Sequence, residues 1–203
     1  MKTCEYAGDV VVQTRSHPWV TSAGNDTFRY YDLRNSPVHI RTSLEDFTPW
    51  NQHPAVEIFY AMLERVNHLR SVIESNDCEF TGPHENSTAE IPKLLQCSGR
   101  IMVLFRALQR NTDEAILQSL KNELHRDLVA LDSGFLWGMV GTTIVPVRYL
   151  QLPERQNGQL GWQLMISFWA WGDNEAEAFS NLGRLFTSLS EALGDLAGRS
   201  PAG

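Results

Sequence analysis

An α+β fold, a mainly antiparallel sheet with about four helices packed on it, is predicted by three features of this 203-residue sequence. First, Gly161 to Trp171 alternates as a strand: Trp162, Leu164, Ile166, Phe168 and Ala170 share one apolar face. Second, the run from Asn174 to Leu196 repeats Phe179, Leu182, Phe186, Leu189, Leu193 and Leu196 at steps of three and four, the stripe of a helix. Third, strand patterns come first, then three helical patterns, then a hairpin and the closing helix. Layers of that kind bury each other's apolar faces.

Along the chain, residues 9 to 42 read as short strands. Val10 to Val12, Phe28 to Leu33 and Val38 to Thr42 carry β-branched and aromatic residues, with turn chemistry at Ser22 to Asp26. Leu44 to Pro54 reads as a proline-punctuated linker. A helix is expected from about Ala55 to Glu74, with Phe59, Met62, Leu63, Val66, Leu69 and Ile73 on one face, and Pro54 suits its first turn.

Ser75 to Glu90 breaks the pattern and reads as a long polar loop, acidic, without Lys or Arg, and stopped by Gly82-Pro83. A second helix is expected from Pro92, with Leu94, Cys97, Ile101, Leu104, Phe105 and Leu108 aligned. Asn111-Thr112-Asp113-Glu114 reads as a stop, an N-cap and an acidic first turn of a third helix running to about Leu131, antiparallel to the second. Phe135 to Leu152 then reads as strand. Its Pro146 implies an edge or a bulge, and Asn157-Gly158 forms the turn into Gly161 to Trp171. Asp173 or Asn174 caps the last helix. The expected organisation is one domain over residues 1–197 and a flexible tail at 198–203.

Composition narrows the function classes. Net charge is -7 and Lys and Arg are scattered singly, which argues against nucleic acid and anionic lipid as partners. Cys4, Cys78 and Cys97 lie far apart, without CxxC spacing, as expected for free thiols in a reducing compartment. The first residues show no signal-peptide pattern and no apolar run approaches a membrane span. The expectation is a cytoplasmic protein, in which Asn25-Asp26-Thr27 and Asn86-Ser87-Thr88 match the glycosylation pattern by chance.

No nucleotide-loop, dinucleotide, nucleophile-elbow or zincin spacing is present. Chemistry, if any, would come from the 75–90 segment. Asp77, Glu79 and His84 are candidate metal ligands, and Cys78, His84 and Glu85 are candidate catalytic groups, with the imidazole activating the thiol. A solvated polar loop is the bland alternative. On the mixed face of the Gly161 strand, Met165, Trp169 and Trp171 would form a contact patch unless helices bury them.

The function expected is therefore a non-catalytic module that binds another protein, with a basic partner favoured. An acidic inhibitor, an immunity-type factor or a regulatory partner would fit. Met165, Trp169, Trp171, Asp77, Glu79 and Glu85 are the expected partner-binding residues, no cofactor is implied, and a homodimer is left open. The alternative is a small enzyme or ligand-binding domain with its site in the 75–90 segment.

Overall fold

The computed structural model describes residues 1–5, 15–18, 31–153 and 158–198. Four helices and a six-stranded mixed, mostly antiparallel sheet make an α+β fold. The strands are β1 (Lys2–Glu5), β2 (Arg15–His17), β3 (Ile73–Glu85), β4 (Leu95–Phe105), β5 (Gly138–Tyr149) and β6 (Gln159–Gly172). The helices are α1 (His39–Thr42), α2 (Pro54–Val66), α3 (Glu114–Leu131) and α4 (Glu175–Gly198). Sheet order is β1-β5-β6-β4-β3, with β2 also on β5; β1 and β2 run parallel to β5 and the other pairs are antiparallel. The chain thus repeats a hairpin followed by a helix, β3–β4 then α3 and β5–β6 then α4. None of these helices is long and apolar enough to cross a membrane.

The helices cover one face of the sheet. Leu164, Ile166, Phe168 and Ala170 of β6 join Cys97, Ile101 and Val103 of β4 and the stripe of α4 in the principal core. Aromatic contacts stitch the layers: Phe168 lies edge-on to Phe186 at 5.0 Å, and Phe59 of α2 meets Phe186 at 4.9 Å. Burying a side chain of this size contributes about 1.5–3 kcal/mol, so the stripe and the strand face read from the sequence hold the fold together.

The helix starts follow their caps. Pro54 opens α2 behind His53, whose Nδ1 accepts from Ala55 N at 3.2 Å. Asp113 Oδ1 accepts from Ala115 N at 2.9 Å, and Asn174 Oδ1 accepts from Glu177 N at 3.0 Å. These bonds satisfy first-turn amides that have no partner inside the helix. Between β1, which pairs with Met139–Thr142, and β2, which pairs with Val147–Tyr149, the outer edge of β5 carries Pro146. No described strand residue pairs with β5 at Pro146 on that side, although β5 is paired on both sides and is not the edge strand the proline suggested. Gly158 has a φ of 72° at the entry to β6, a conformation glycine adopts without strain.

Several expectations are corrected. The segment from Pro92 to Leu108 is not a helix but contains β4. Ile101 to Phe105 is buried on both faces of the sheet, so its apolar residues carry no strand period and mimic a helical one. The second and third helices therefore form no antiparallel pair. The 75–90 loop is mostly β3: Cys78 and Phe80 turn to the core while Asp77, Glu79 and Thr81 alternate on the other face. Helix α2 stops at Val66, because Asn67 caps it and sends Oδ1 to Ser75 N (3.0 Å) and Nδ2 to Ser75 Oγ (2.8 Å). Leu69 is accordingly 72% exposed, and Ile73 is buried in β3.

Val38 to Thr42 likewise holds the short helix α1 instead of a strand, with Ile40 N donating to Pro37 O at 3.0 Å. The expected strand at Val10 to Val12, the first part of the expected Phe28 to Leu33 strand, the turn at Ser22 to Asp26, Asn157 and the tail beyond Gly198 lie outside the described residues; Tyr31 to Leu33, which are described, form no strand.

Candidate functional site

β3 is the outermost strand on its side of the sheet, and it carries most of the residues singled out by sequence. Asp77 and Glu79 stand on the face away from the helices, and both reach toward Arg100 of β4. Arg100 Nη1 lies 2.6 Å from Glu79 Oε2, and Arg100 Nη2 lies 3.8 Å from Asp77 Oδ2. Alternation sends Cys78 the opposite way, against the core that includes the stacked rings of Phe47 and Phe80, 4.8 Å apart. Burial, then the negative charges of Asp77 and Asp46, push the Cys78 thiol far above its ordinary value. A thiol held in its neutral form is a poor nucleophile.

His84 lies on the face away from Cys78, paired with Gln96 across the β3–β4 ladder. Its Nε2 meets Gln96 Nε2 at 2.9 Å and its Nδ1 lies 2.8 Å from Gly82 O. The Cys78–His84 pairing is not made. Nor do the three proposed metal ligands converge: His84 pairs with position 96 of β4 and Asp77 with position 102. That span is roughly 20 Å at about 3.4 Å per residue. Among the described residues, no group of three or more His, Cys, Asp and Glu side chains gathers as a metal site. Glu85 is exposed at the end of β3.

The proposed contact patch on β6 is divided. Met165 packs with Met102 and Val145, and Trp171 is 1% exposed with its Nε1 donating to Gln96 Oε1 at 3.3 Å. Both are interior residues. Trp169 keeps partial exposure, facing Ser98 on β4 and Met139 on β5.

A second constellation was not foreseen. Glu74, on the first turn of β3, is buried among His17, Arg34 and Arg106. His17 Nε2 lies 3.5 Å from its Oε1, while Arg34 Nη1 and Arg106 Nε each lie 3.5 Å from its Oε2. Asn76 Nδ2 donates to Gln163 Oε1 at 2.9 Å beside them. The sequence pattern ends a helix at about Glu74, and separations of this size along the chain offer no signal. The hub neutralises a buried carboxylate, which would otherwise be costly.

The charge left over is acidic. Arg41, Lys93, Lys121 and Arg184 are all spent on carboxylates, at 2.6–2.9 Å. Glu45 and Asp46, on a 3-10 turn packed on β3, are exposed, as is Glu85, and none of the three makes an ion pair among the described residues. From Ile73 to Glu90 the sequence has no Lys or Arg. Among the described residues, the outer edge of the sheet thus presents carboxylates that ion-pair with one guanidinium of β4, Arg100. Comparison with known protein families, curated proteins and solved structures finds no match.

Proposed function

We propose that this protein is a non-catalytic binding module, an inhibitor, immunity-type or regulatory partner that docks a basic protein along the acidic edge formed by β3 and the Glu45–Phe47 turn. The observation that carries this reading is the set of carboxylates along one edge of the sheet, exposed Glu45, Asp46 and Glu85 with half-buried Glu79, where Arg100 is the only Lys or Arg on β3 and β4. A field of one sign accelerates encounter with a partner of the other sign and rejects like-charged ones. Trp169, partly exposed on the adjoining face, is the aromatic anchor in this reading. Acid edges also keep a terminal strand from pairing with other strands; a docking role adds a partner to that protective one. Three free thiols support a reducing compartment such as the cytoplasm.

The ligand-binding alternative is not favoured, because Asp77, Cys78 and His84 are spread over two faces and the length of β3. The test is gentle purification of the tagged chain from its native cells, followed by native mass spectrometry. A stoichiometric basic protein supports the proposal. A bare copy that carries a small molecule overturns it.

A further inference from the structure

Helix α2 is capped by an imidazole, where a hydroxyl, carboxylate or amide usually serves. His53 Nδ1 accepts from Ala55 N at 3.2 Å. A backbone N–H can only donate, so Nδ1 carries the lone pair and the proton of the neutral ring sits on Nε2. The ring is half-buried and stacked on Phe179 of α4, with centroids 3.9 Å apart and planes at 24°. Ala55 and Val56 behind it are 3% and 0% exposed, so an Ala55 amide that lost this acceptor has little solvent to turn to.

Protonation occupies Nδ1. The imidazolium has two donors and no acceptor, so it meets the Ala55 N–H donor to donor. It also sets a positive charge at the end of a helix whose macrodipole is already positive there. The charged groups on the elements around it are Glu45 and Asp46 on the preceding 3-10 turn, Glu57 on α2, and Glu175 and Glu177 near Phe179 on α4. Glu57 is held by Arg41 and Glu177 by Lys93, and none of the five bonds the His53 ring. Burial holds the pKa of His53 below the ordinary 6.5. The folded chain therefore takes up this proton less readily than the unfolded chain. The stabilisation is complete above pH 6.5 and is lost as pH falls from there through the folded-state value.

We infer that His53 is a proton-operated cap: neutral, it closes the first turn of α2, and protonated, it releases the Ala55 amide while the rest of the helix stays packed. The ring itself stays on Phe179, because a cation over an aromatic face is favourable. What opens is the first turn, and Phe59, Met62, Leu63 and Val66 keep α2 in the core. This device does not depend on the proposed docking of a basic partner.

A nuclear magnetic resonance titration of the full chain, downward from about pH 8 until the ring is protonated, tests it. At the start, the ring-nitrogen shifts should place the proton on Nε2. The ring should titrate below 6.5, and the Ala55 amide should shift with the same midpoint. Hydrogen exchange at Ala55, corrected for its intrinsic pH dependence, should quicken roughly fivefold on the acid side, the worth of one helix cap, while Leu63 does not change. In His53→Asp, whose carboxylate stays ionised and caps throughout this range, the Ala55 response should vanish. A proton on Nδ1, a midpoint at or above 6.5, or an Ala55 amide indifferent to protonation of the ring overturns the inference in the unmodified protein alone. So does an Ala55 response that survives in folded His53→Asp.

Discussion

The side chain of Asn111 completes both backbone groups of Phe105: its Oδ1 accepts from Phe105 N and its Nδ2 donates to Phe105 O, each at 2.8 Å. Asn111 is wholly buried and stands where a neighbouring strand would, just beyond the last β4–β6 pair at Val103 and Leu164. Asn111→Ala leaves a buried donor and a buried acceptor unsatisfied, at about 1–3 kcal/mol each. The urea midpoint should fall accordingly, with the slope unchanged. Asn111→Asp, which keeps an acceptor and loses the donor, should also be destabilising.

The two tryptophans at the end of β6 should separate cleanly. Trp171→Ala opens a cavity against the core and abandons Gln96, so a loss of about 3–5 kcal/mol is expected. Trp169→Ala removes a partly exposed ring and should cost roughly 1 kcal/mol or less. Chemical denaturation of both variants measures the difference.

Gly99 faces Phe168 across β4 and β6, and a Cβ there would press on the Phe168 ring and on the Glu79 carbonyl. The carbonyl belongs to the β3 ladder and cannot swing away. Gly99→Ala should destabilise by about 1–3 kcal/mol through overpacking, visible as a lowered thermal midpoint.

Stability should decline on the alkaline side. Burial, with a smaller contribution from Glu175, pushes the Cys97 thiol from 9.0 up to about 12, and Cys78 is raised further. The folded chain then holds these protons more tightly than the unfolded chain does. Their contribution is complete below pH 9 and is lost as pH rises from there through the folded-state values. Tyr149 acts in the same direction above its ordinary 10.0, raised by burial and then by Glu74. A pH series of denaturation curves should fall above pH 9, and Cys97→Ala should flatten part of that fall. At pH 8 the native thiols should react with an alkylating reagent far more slowly than in denaturant.

What was legible in the sequence was local. Asn174 and the Pro54 start declare themselves by cap chemistry within one turn, the start of α3 was legible to within a residue although Asp113 itself is the cap, and the stripe of α4 and the alternation of β6 are periodic over ten or more residues. β4 was illegible because Ile101 to Phe105 is buried on both sides, and burial on both sides erases period two. β3 was illegible because an edge strand with one polar face resembles a loop. Beyond Ile73 at its start, its apolar marks are Cys78 and Phe80, two residues apart on the core side. The partners of the site residues depend on register. Arg100 meets Glu79 only once β4 is a strand, and the Glu74 hub draws on His17, Arg34 and Arg106, which no local pattern connects.

The most direct measurement is the affinity of the captured partner for the unmodified protein and for the triple variant Glu45→Lys, Asp46→Lys, Glu85→Lys, at low and at physiological salt. These side chains are exposed and make no ion pair among the described residues, so the fold should be retained by circular dichroism. The account predicts a loss of at least roughly tenfold, carried mainly by slower association and by a weaker salt dependence. Equal affinity and equal salt dependence for the two proteins, with the variant folded, would contradict it.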